Sequence, residues 1–124
     1  MVSEQFPNGE NQVAVQKGYP GIGRTAEGTS DFAGTPYLYP AQPGQSSVVT
    51  IRLTGSYTAD AEAANAAAGF VEKPFGYAWH HLDYDPATGD GVLQLISNEA
   101  HDATIPHSGG VSQYENSTGQ EYRR

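Results

Sequence analysis

The most regular alternation of apolar and polar residues along the chain lies within residues 47–57. Branched apolar residues occupy every second position there, with polar residues between them: Val49, Thr50, Ile51, Arg52, Leu53 and Thr54. A period of two is typical of a β-strand with one buried face, so the pattern predicts a strand with Arg52 on the opposite face. The shorter run Tyr37-Leu38-Tyr39, closed by Pro40, predicts a second, brief strand.

Residues 60–68 are rich in alanine, the residue with the highest intrinsic helix propensity. Asp60 can cap the first turn of a helix, and Gly69 suits the left-handed position that follows one, so we expect an alanine-rich helix here. Upstream, residues 1–34 are polar, glycine-rich and without clean periodicity. They predict an irregular N-terminal arm that wraps the domain, with a disordered linker as the alternative.

The last part of the chain predicts a hairpin followed by a helix. Its expected elements are a strand over 76–82, a turn over 83–91, a strand over 92–96 and a helix over 98–104. Ser97 can cap this helix, and Pro106 stops it. The tail after Ser108 is polar.

Composition narrows the fold class. Apolar residues make up 37% of the 124 residues, and 15 glycines and 8 prolines favour loops, so we expect one small α+β domain with short elements. The absence of cysteine excludes disulfides and thiolate ligands, so a metal would need histidine or oxygen ligands. No apolar run is long enough for a membrane span and the first residues lack a signal region, so no membrane partner is expected.

All four histidines lie in one short part of the chain, at His80, His81, His101 and His107. Imidazole is the commonest side-chain ligand for transition metals and also suits a general base near neutral pH. Neighbouring residues on a strand point to opposite faces, so His80 and His81 suit two different roles. Three histidines on a metal and one accepting a proton would form a catalytic site with open coordination positions. A structural zinc site usually includes cysteine, which this chain lacks. A metalloprotease needs two histidines one helical turn apart, and that spacing is also absent.

The motifs around these histidines resemble a nuclease family. The motifs are Trp79-His80-His81, Leu93-Gln94-Leu95-Ile96, Glu99-Ala100-His101-Asp102-Ala103 and His107-Ser108-Gly109-Gly110. Together they are similar to the WHH branch of the HNH/endonuclease VII superfamily, which comprises nuclease toxin domains at the C-terminal ends of bacterial polymorphic toxins. A weaker similarity covers Leu53-Thr54-Gly55-Ser56 and residues 60–69. The combined motif is far more specific than a pair of histidines alone.

The resemblance implies a ββα-metal (His-Me finger) core over residues 76–112, joined by an extra strand, the alanine-rich helix and the arm of residues 1–34. It also implies a divalent metal ion, without distinguishing zinc, magnesium or nickel, and cleavage of nucleic-acid phosphodiesters, with DNA favoured over RNA. Such a nuclease would be delivered as part of a larger secreted toxin, act in the cytoplasm of a target cell, and be blocked by a cognate immunity protein.

By the same resemblance, His81 is the general base and the three other histidines, His80, His101 and His107, are the metal ligands. The central asparagine of an HNH motif falls near Gln94, which would orient the base, and Asn98 is the alternative. Asp83 can also orient His81, although its surroundings favour a turn. Trp79 is expected to pack in the core beneath the histidines, with stacking on a nucleic-acid base as the less favoured alternative.

The acidic net charge of the chain argues against nucleic-acid binding. Fourteen acidic residues against six basic ones give a net charge of −8, whereas nucleic-acid binders are usually basic. A bound dication would add local positive charge, and other parts of a longer protein could deliver the nuclease. Arg52 and Lys73 are the candidate phosphate contacts. The alternative functions are a non-catalytic, metal-stabilised interaction module, and a surface module that binds a glycan or peptide through its tyrosines and glycine-rich loops.

Overall fold

A computed structural model describes residues 8–26, 29–104 and 110–122 of the chain. In chain order its elements are α1 (Gln12–Gln16), β1 (Gly23–Arg24), β2 (Ser30–Asp31), β3 (Val48–Arg52), α2 (Tyr57–Ala68), β4 (Tyr77–Asp85), β5 (Asp90–Ser97), α3 (Asn98–Ala103) and α4 (Gly110–Thr118). An antiparallel sheet has the order β3-β5-β4, and β1 pairs with β2 separately. The fold is α+β, as predicted. None of the helices in the described ranges is long and apolar enough to cross a membrane.

Strand β3 confirms the prediction from alternation. Val49 and Ile51 are buried, and Arg52 is exposed on the opposite face. The brief strand expected around Leu38 is reduced to a single bridge with Ile96, because β5 extends beyond the end of β3 and leaves room for only a short partner.

Strands β4 and β5 form the predicted hairpin with a shorter turn than expected. The ladder continues through Asp83 and Tyr84, so the connection consists of residues 86–89, and Gly89 N–H donates to Asp85 O over 2.8 Å. The register shifts between His81 and Asp83, where one extra residue forms a bulge. Bulges bend a strand and change the direction of side chains, and this one directly follows the paired histidines.

Helix α2 begins one turn earlier than predicted. Its N-cap is Ser56, whose side chain accepts from Ala59 N–H, so the expectation that Asp60 caps the helix was wrong. The Asp60 carboxylate instead accepts from the Thr54 backbone and hydroxyl groups and is fully buried. The helix ends as expected at Gly69, which has a φ of 86°.

The two faces of the main sheet pack against different parts of the chain. Leu93 and Leu95 lie in a core shared with α2, Tyr114 of α4 and Tyr122. Ile96, on the other face, packs with the N-terminal arm and α3 in a second core. This division follows from the alternation of side chains along β5, and it gives β4 two different environments.

The N-terminal arm packs against one face of the sheet and carries more regular structure than the irregular arm that was expected. Within residues 8–26 and 29–34 it contains α1 and the β1-β2 pair. Asn11 caps α1 by accepting from Ala14 N–H, and Ile22 and Phe32 are fully buried. The alternative of a disordered linker does not hold for these described residues.

The C-terminal segments confirm one prediction and add a helix. Ser97 caps α3 by accepting from Ala100 N–H over 3.1 Å, as expected, while Pro106 lies outside the described residues. Part of the polar tail forms α4, which begins at Gly110 close to β4. A Cβ atom at Gly110 would lie 2.9 Å from Asp83 O, so only glycine permits this approach.

Candidate active site

A cleft of about 390 Å³ lies where β4 meets α3 and α4. Its lining combines three histidines with other residues of α2, β4 and α4, and consists of Tyr57, Trp79, His80, His81, His101, Val111, Ser112 and Glu115. Three of the predicted site residues therefore border one cavity. The fourth histidine, His107, lies outside the described residues.

His80 and His81 point to opposite faces of β4, as the strand geometry predicted. His81 contacts Asp60 of α2, whereas His80 contacts Ser30 and Phe32 of the arm. Both rings are largely buried, with His80 1% and His81 9% exposed. Both rings nevertheless line the same cleft.

On one side of β4, His81 belongs to a buried hydrogen-bond network centred on Asp60. His81 Nε2 lies 2.9 Å from Asp60 Oδ2, and Tyr122 Oη donates to the same oxygen over 2.6 Å. The second oxygen, Oδ1, accepts from Thr54 N–H and from the Thr54 hydroxyl. The Tyr57 and Tyr122 rings stand nearly perpendicular to the imidazole, with ring centroids 5.7 and 5.6 Å away. The His81 ring is thus fixed in both position and plane.

The network changes the pKa values of its two acidic groups in opposite directions. Burial alone would raise the pKa of Asp60, but hydrogen bonds from His81, Tyr122 and Thr54 outweigh it, so the pKa lies below the usual 3.8. Burial and the hydrogen bond to Asp60 raise the pKa of the Tyr122 phenol well above its ordinary 10.0. At neutral pH the network therefore contains a carboxylate and a neutral phenol that donates to it.

On the other side of β4, His80 is held by the N-terminal arm. Its Nε2 lies 2.7 Å from Ser30 O, and because a carbonyl only accepts, Nε2 must carry the hydrogen. A neutral ring then has its acceptor lone pair on Nδ1. Metal-bound histidines are commonly oriented in this way, through an N–H group that donates to a backbone carbonyl.

The possible metal donors in the described ranges are fewer than a complete site needs. His80 and His101 face each other with ring centroids 5.6 Å apart. Within residues 8–26, 29–104 and 110–122, no group of three or more histidine or carboxylate side chains could hold a metal ion. The two imidazoles, one of them oriented by a carbonyl, fit part of a site for a divalent ion.

Gln94 contacts the arm rather than the expected base. It lies opposite His80 in the ladder and is buried. Its Oε1 accepts from Phe32 N–H over 3.0 Å, and its Nε2 donates to Asp31 Oδ1 over 2.9 Å. Since Gln94 shares the face of His80, it holds the arm against the sheet, and the described group that orients His81 is Asp60.

The other predicted polar residues lie away from the cleft. Asn98 and Lys73 border a separate groove beside the α2–β4 connection. Arg52 donates to Thr88 O near the hairpin turn. Asp83 continues β4 and accepts from Gln113 of α4, so it belongs to the ladder rather than to the turn. The catalytic role of Asn98 and the substrate contacts of Arg52 and Lys73 stay predictions.

Trp79 takes the structural role expected of it. The side chain is 9% exposed, and Nε1 donates to Asn65 Oδ1 of α2 over 2.8 Å. It packs in the core shared with α2, beside Phe70. The Trp-His-His run thus places one anchoring residue and two functional candidates on consecutive positions of β4.

Sequence reasoning missed Asp60, Tyr122, Tyr57 and Glu115 as neighbours of the histidines. Asp60 was interpreted as a cap because its position before an alanine run fits both roles equally well. Tyr122 and Glu115 lie in the segment interpreted as a polar tail. One signal was present: Tyr114 and Tyr122 are large aromatic residues in an otherwise polar stretch, and both are buried.

Comparison with known proteins identifies the family of this segment. A family described as a nuclease of the HNH/ENDO VII superfamily with conserved WHH matches residues 69–117. The match contains Trp79-His80-His81, the hairpin, α3 and most of α4. No curated protein and no solved structure matches the chain significantly. The WHH match over residues 69–117 indicates that the protein is a nuclease, a hydrolase that acts on phosphodiester bonds.

Proposed function

We propose that the protein is a metal-dependent endonuclease that cleaves DNA in the histidine cleft, with His81 as the general base. The observation that carries this proposal is the pairing of His80 and His81 on opposite sides of β4 at one cavity. One ring is oriented by a carbonyl, as metal ligands are, and the other by a carboxylate, as bases often are.

In the proposed reaction His81 accepts a proton from water while the water oxygen attacks phosphorus. The bond from phosphorus to the 3′ oxygen breaks, that oxygen takes up a proton from solvent water, and His81 returns its proton to solvent. The products are a 5′-phosphate and a 3′-hydroxyl. His81 can act in this way because its ring is fixed at the cleft and a neutral imidazole has one nitrogen able to accept a proton.

Nucleases of this superfamily generally use divalent metal ions. We propose His80, His101 and His107 as the ligands, since the first two face each other in the cleft. When bound, a divalent ion supplies positive charge to a phosphate whose negative charge increases during the reaction. That charge matters here because none of the arginine and lysine side chains in the described ranges lines the cleft.

A plasmid-nicking assay tests the proposed activity. The purified chain is incubated with supercoiled DNA and, in parallel, with structured RNA, in the presence of Mg²⁺, Zn²⁺ or Ni²⁺ and with or without EDTA. We expect metal-dependent nicking of DNA that His81→Ala abolishes and Glu62→Gln, on the exposed side of α2, leaves intact. Cleavage of RNA alone would overturn the DNA proposal, and cleavage that persists in EDTA would overturn the metal requirement.

We further propose that this nuclease is a toxin domain, delivered within a larger secreted protein and active in the cytoplasm of a target cell. The support is its resemblance to toxin domains of the WHH branch. Production of the wild-type chain in a bacterial cytoplasm should then kill the cell and fragment its DNA, whereas His81→Ala should be harmless. Equal growth of both strains, with both proteins soluble and abundant, would contradict the toxin role.

The proposed partner is an immunity protein that covers the histidine cleft. An acidic immunity protein is attracted to a basic nuclease by opposite net charge. That attraction is absent here, because this chain itself has a net charge of −8. We therefore expect shape and aromatic contacts to dominate and association rates to depend only weakly on salt. A protein that neutralises toxicity yet leaves plasmid nicking uninhibited would contradict cleft binding.

A further inference from the structure

The Asp60 carboxylate has more partners than helix α2 requires. The helix is capped by Ser56, and Asp60 is fully buried within the first turn. Its two oxygens meet four polar groups: the Tyr122 hydroxyl and His81 Nε2 at Oδ2, and the backbone and hydroxyl of Thr54 at Oδ1. A buried carboxylate is costly unless its oxygens are satisfied, so such a network invites a role beyond packing.

The chemistry of the network fixes where the His81 hydrogen lies. An ionised carboxylate only accepts hydrogen bonds, and Tyr122 already donates to Oδ2 over 2.6 Å. The 2.9 Å contact from His81 therefore requires a hydrogen on Nε2. In the neutral imidazole the lone pair is then on Nδ1.

We propose that Asp60, supported by Tyr122, is a positioning residue that holds His81 as the Nε2–H tautomer and leaves Nδ1 as the nitrogen that accepts the proton from water. This inference rests on the proposed role of His81 as the base. It goes beyond the family match, because residues 60 and 122 both lie outside residues 69–117.

Tyr122 contributes in two ways. Its hydroxyl donates to Asp60, and its ring packs against the His81 ring. The Tyr122 backbone N–H in turn donates to Glu115 Oε2 of α4, which borders the cleft. The network thus connects α2 and the segment after α4 to the His81 imidazole.

The first test is spectroscopic and uses the unaltered protein. Correlation of the imidazole nitrogens with their ring protons distinguishes the two neutral tautomers. We expect the His81 signals of the Nε2–H form at a pH where the ring is neutral, assigned by their loss in His81→Ala. Signals of the Nδ1–H form would overturn the proposal.

The second test compares Asp60→Asn with Glu62→Gln, a matched loss of one carboxylate on the exposed side of the same helix. An amide can donate to Nε2 and thereby favour the other tautomer. We expect kcat to fall by about 100-fold with KM changed by less than about threefold, because the chemical step loses its base while binding is kept. Glu62→Gln should match the wild type.

Further measurements separate positioning from stability. Asp60→Asn should keep the metal affinity of the wild type, since His80 lies on the opposite face, and its His81 signals should change to the Nδ1–H form. Tyr122→Phe keeps the aromatic ring and the carboxylate, so its kcat should fall by less than about tenfold. Unchanged kcat and unchanged tautomer in a folded Asp60→Asn would overturn the proposal. Full nuclease activity in His81→Ala would instead overturn the role of His81 as the base, while the tautomer measurement still tests what Asp60 does to the ring.

Discussion

The two sides of β4 hold neighbouring histidines by different means. On the side of α2, His81 is bound by a carboxylate and enclosed by two tyrosine rings. On the side of the arm, His80 is bound by a backbone carbonyl and faces His101. Each partner accepts from a ring N–H group and thereby fixes the tautomer and the orientation of its imidazole, and only the partner of His81 carries a negative charge. One step along a strand therefore separates the ring proposed as the general base from a ring proposed as a metal ligand.

The largest expected effect comes from removing His81. His81→Ala should lower the cleavage rate by about 10²–10⁴-fold, the usual contribution of a general base, while leaving metal affinity close to that of the wild type. Nicking assays give the rate and calorimetric titration gives the affinity. Equal loss of metal in His80→Ala and His81→Ala would break the comparison between the two sides of β4.

On the side of β4 that faces the N-terminal arm, removal of a proposed metal ligand should weaken metal binding. His80→Ala and His101→Ala should each lower metal affinity by more than about tenfold and remove the rise in melting temperature that metal gives the wild type. Differential scanning calorimetry with and without added metal measures this rise. If both variants keep full stabilisation by metal, these two histidines are not ligands.

The stability contributed by the hydrogen bonds around His81 should also depend on pH. Asp60→Asn should lower the free energy of unfolding by about 2 kcal/mol at neutral pH, because the buried donors lose a charged acceptor. The pKa of Asp60 is lowered in the folded protein, so its contribution is fully present above the unfolded value of 3.8 and is lost as the pH falls through the folded value. Urea unfolding of both proteins from pH 7 to pH 2 measures the difference. A difference that stays constant down to pH 2 would mean that the folded pKa is not lowered.

The smallest effects are expected from the basic residues outside the cleft. Arg52→Gln and Lys73→Gln should each weaken substrate binding by about threefold. Each should also make the slope of log binding constant against log salt concentration shallower, by less than the change that loss of about one phosphate contact gives. Binding to DNA is measured with a catalytically inactive variant across a range of salt concentrations. An unchanged salt dependence in both variants would assign their charges to the surface alone.

The sequence predicted the elements whose patterns are local. Alternation located β3, the turn formers located the hairpin, and Ser97 marked the start of α3. The clustering of histidines also indicated the cleft, because consecutive elements tend to lie side by side in space. The residues that hydrogen-bond to the histidines could not be predicted from the sequence. Asp60 becomes a partner of His81 only when α2 packs on the sheet, and a carboxylate early in an alanine-rich helix has the same sequence pattern as a cap.

Helix α4 and the contacts of Gln94 could not be predicted either, because both depend on residues that are distant in sequence. Apolar positions in α4 are few, so its helical period is weak, and the helix is stabilised by contacts such as that of Tyr114 with Tyr84. Gln94 lies near the position of the HNH asparagine, but strand alternation places its side chain on the face of His80. Its amide then satisfies the buried backbone of Phe32, which no local pattern could indicate.

The distances along the chain between bonded partners have a consequence for folding. The β4–β5 hairpin pairs residues close in sequence and can form in about 1–10 μs, as isolated hairpins do. By contrast, His80 meets a carbonyl 50 residues away, and Tyr122 meets a carboxylate 62 residues away. Such long loops close slowly and late. A folding intermediate that contains only the hairpin would thus carry His80 and His81 without the partners that fix their rings, so we expect activity to appear only after these long-range contacts form.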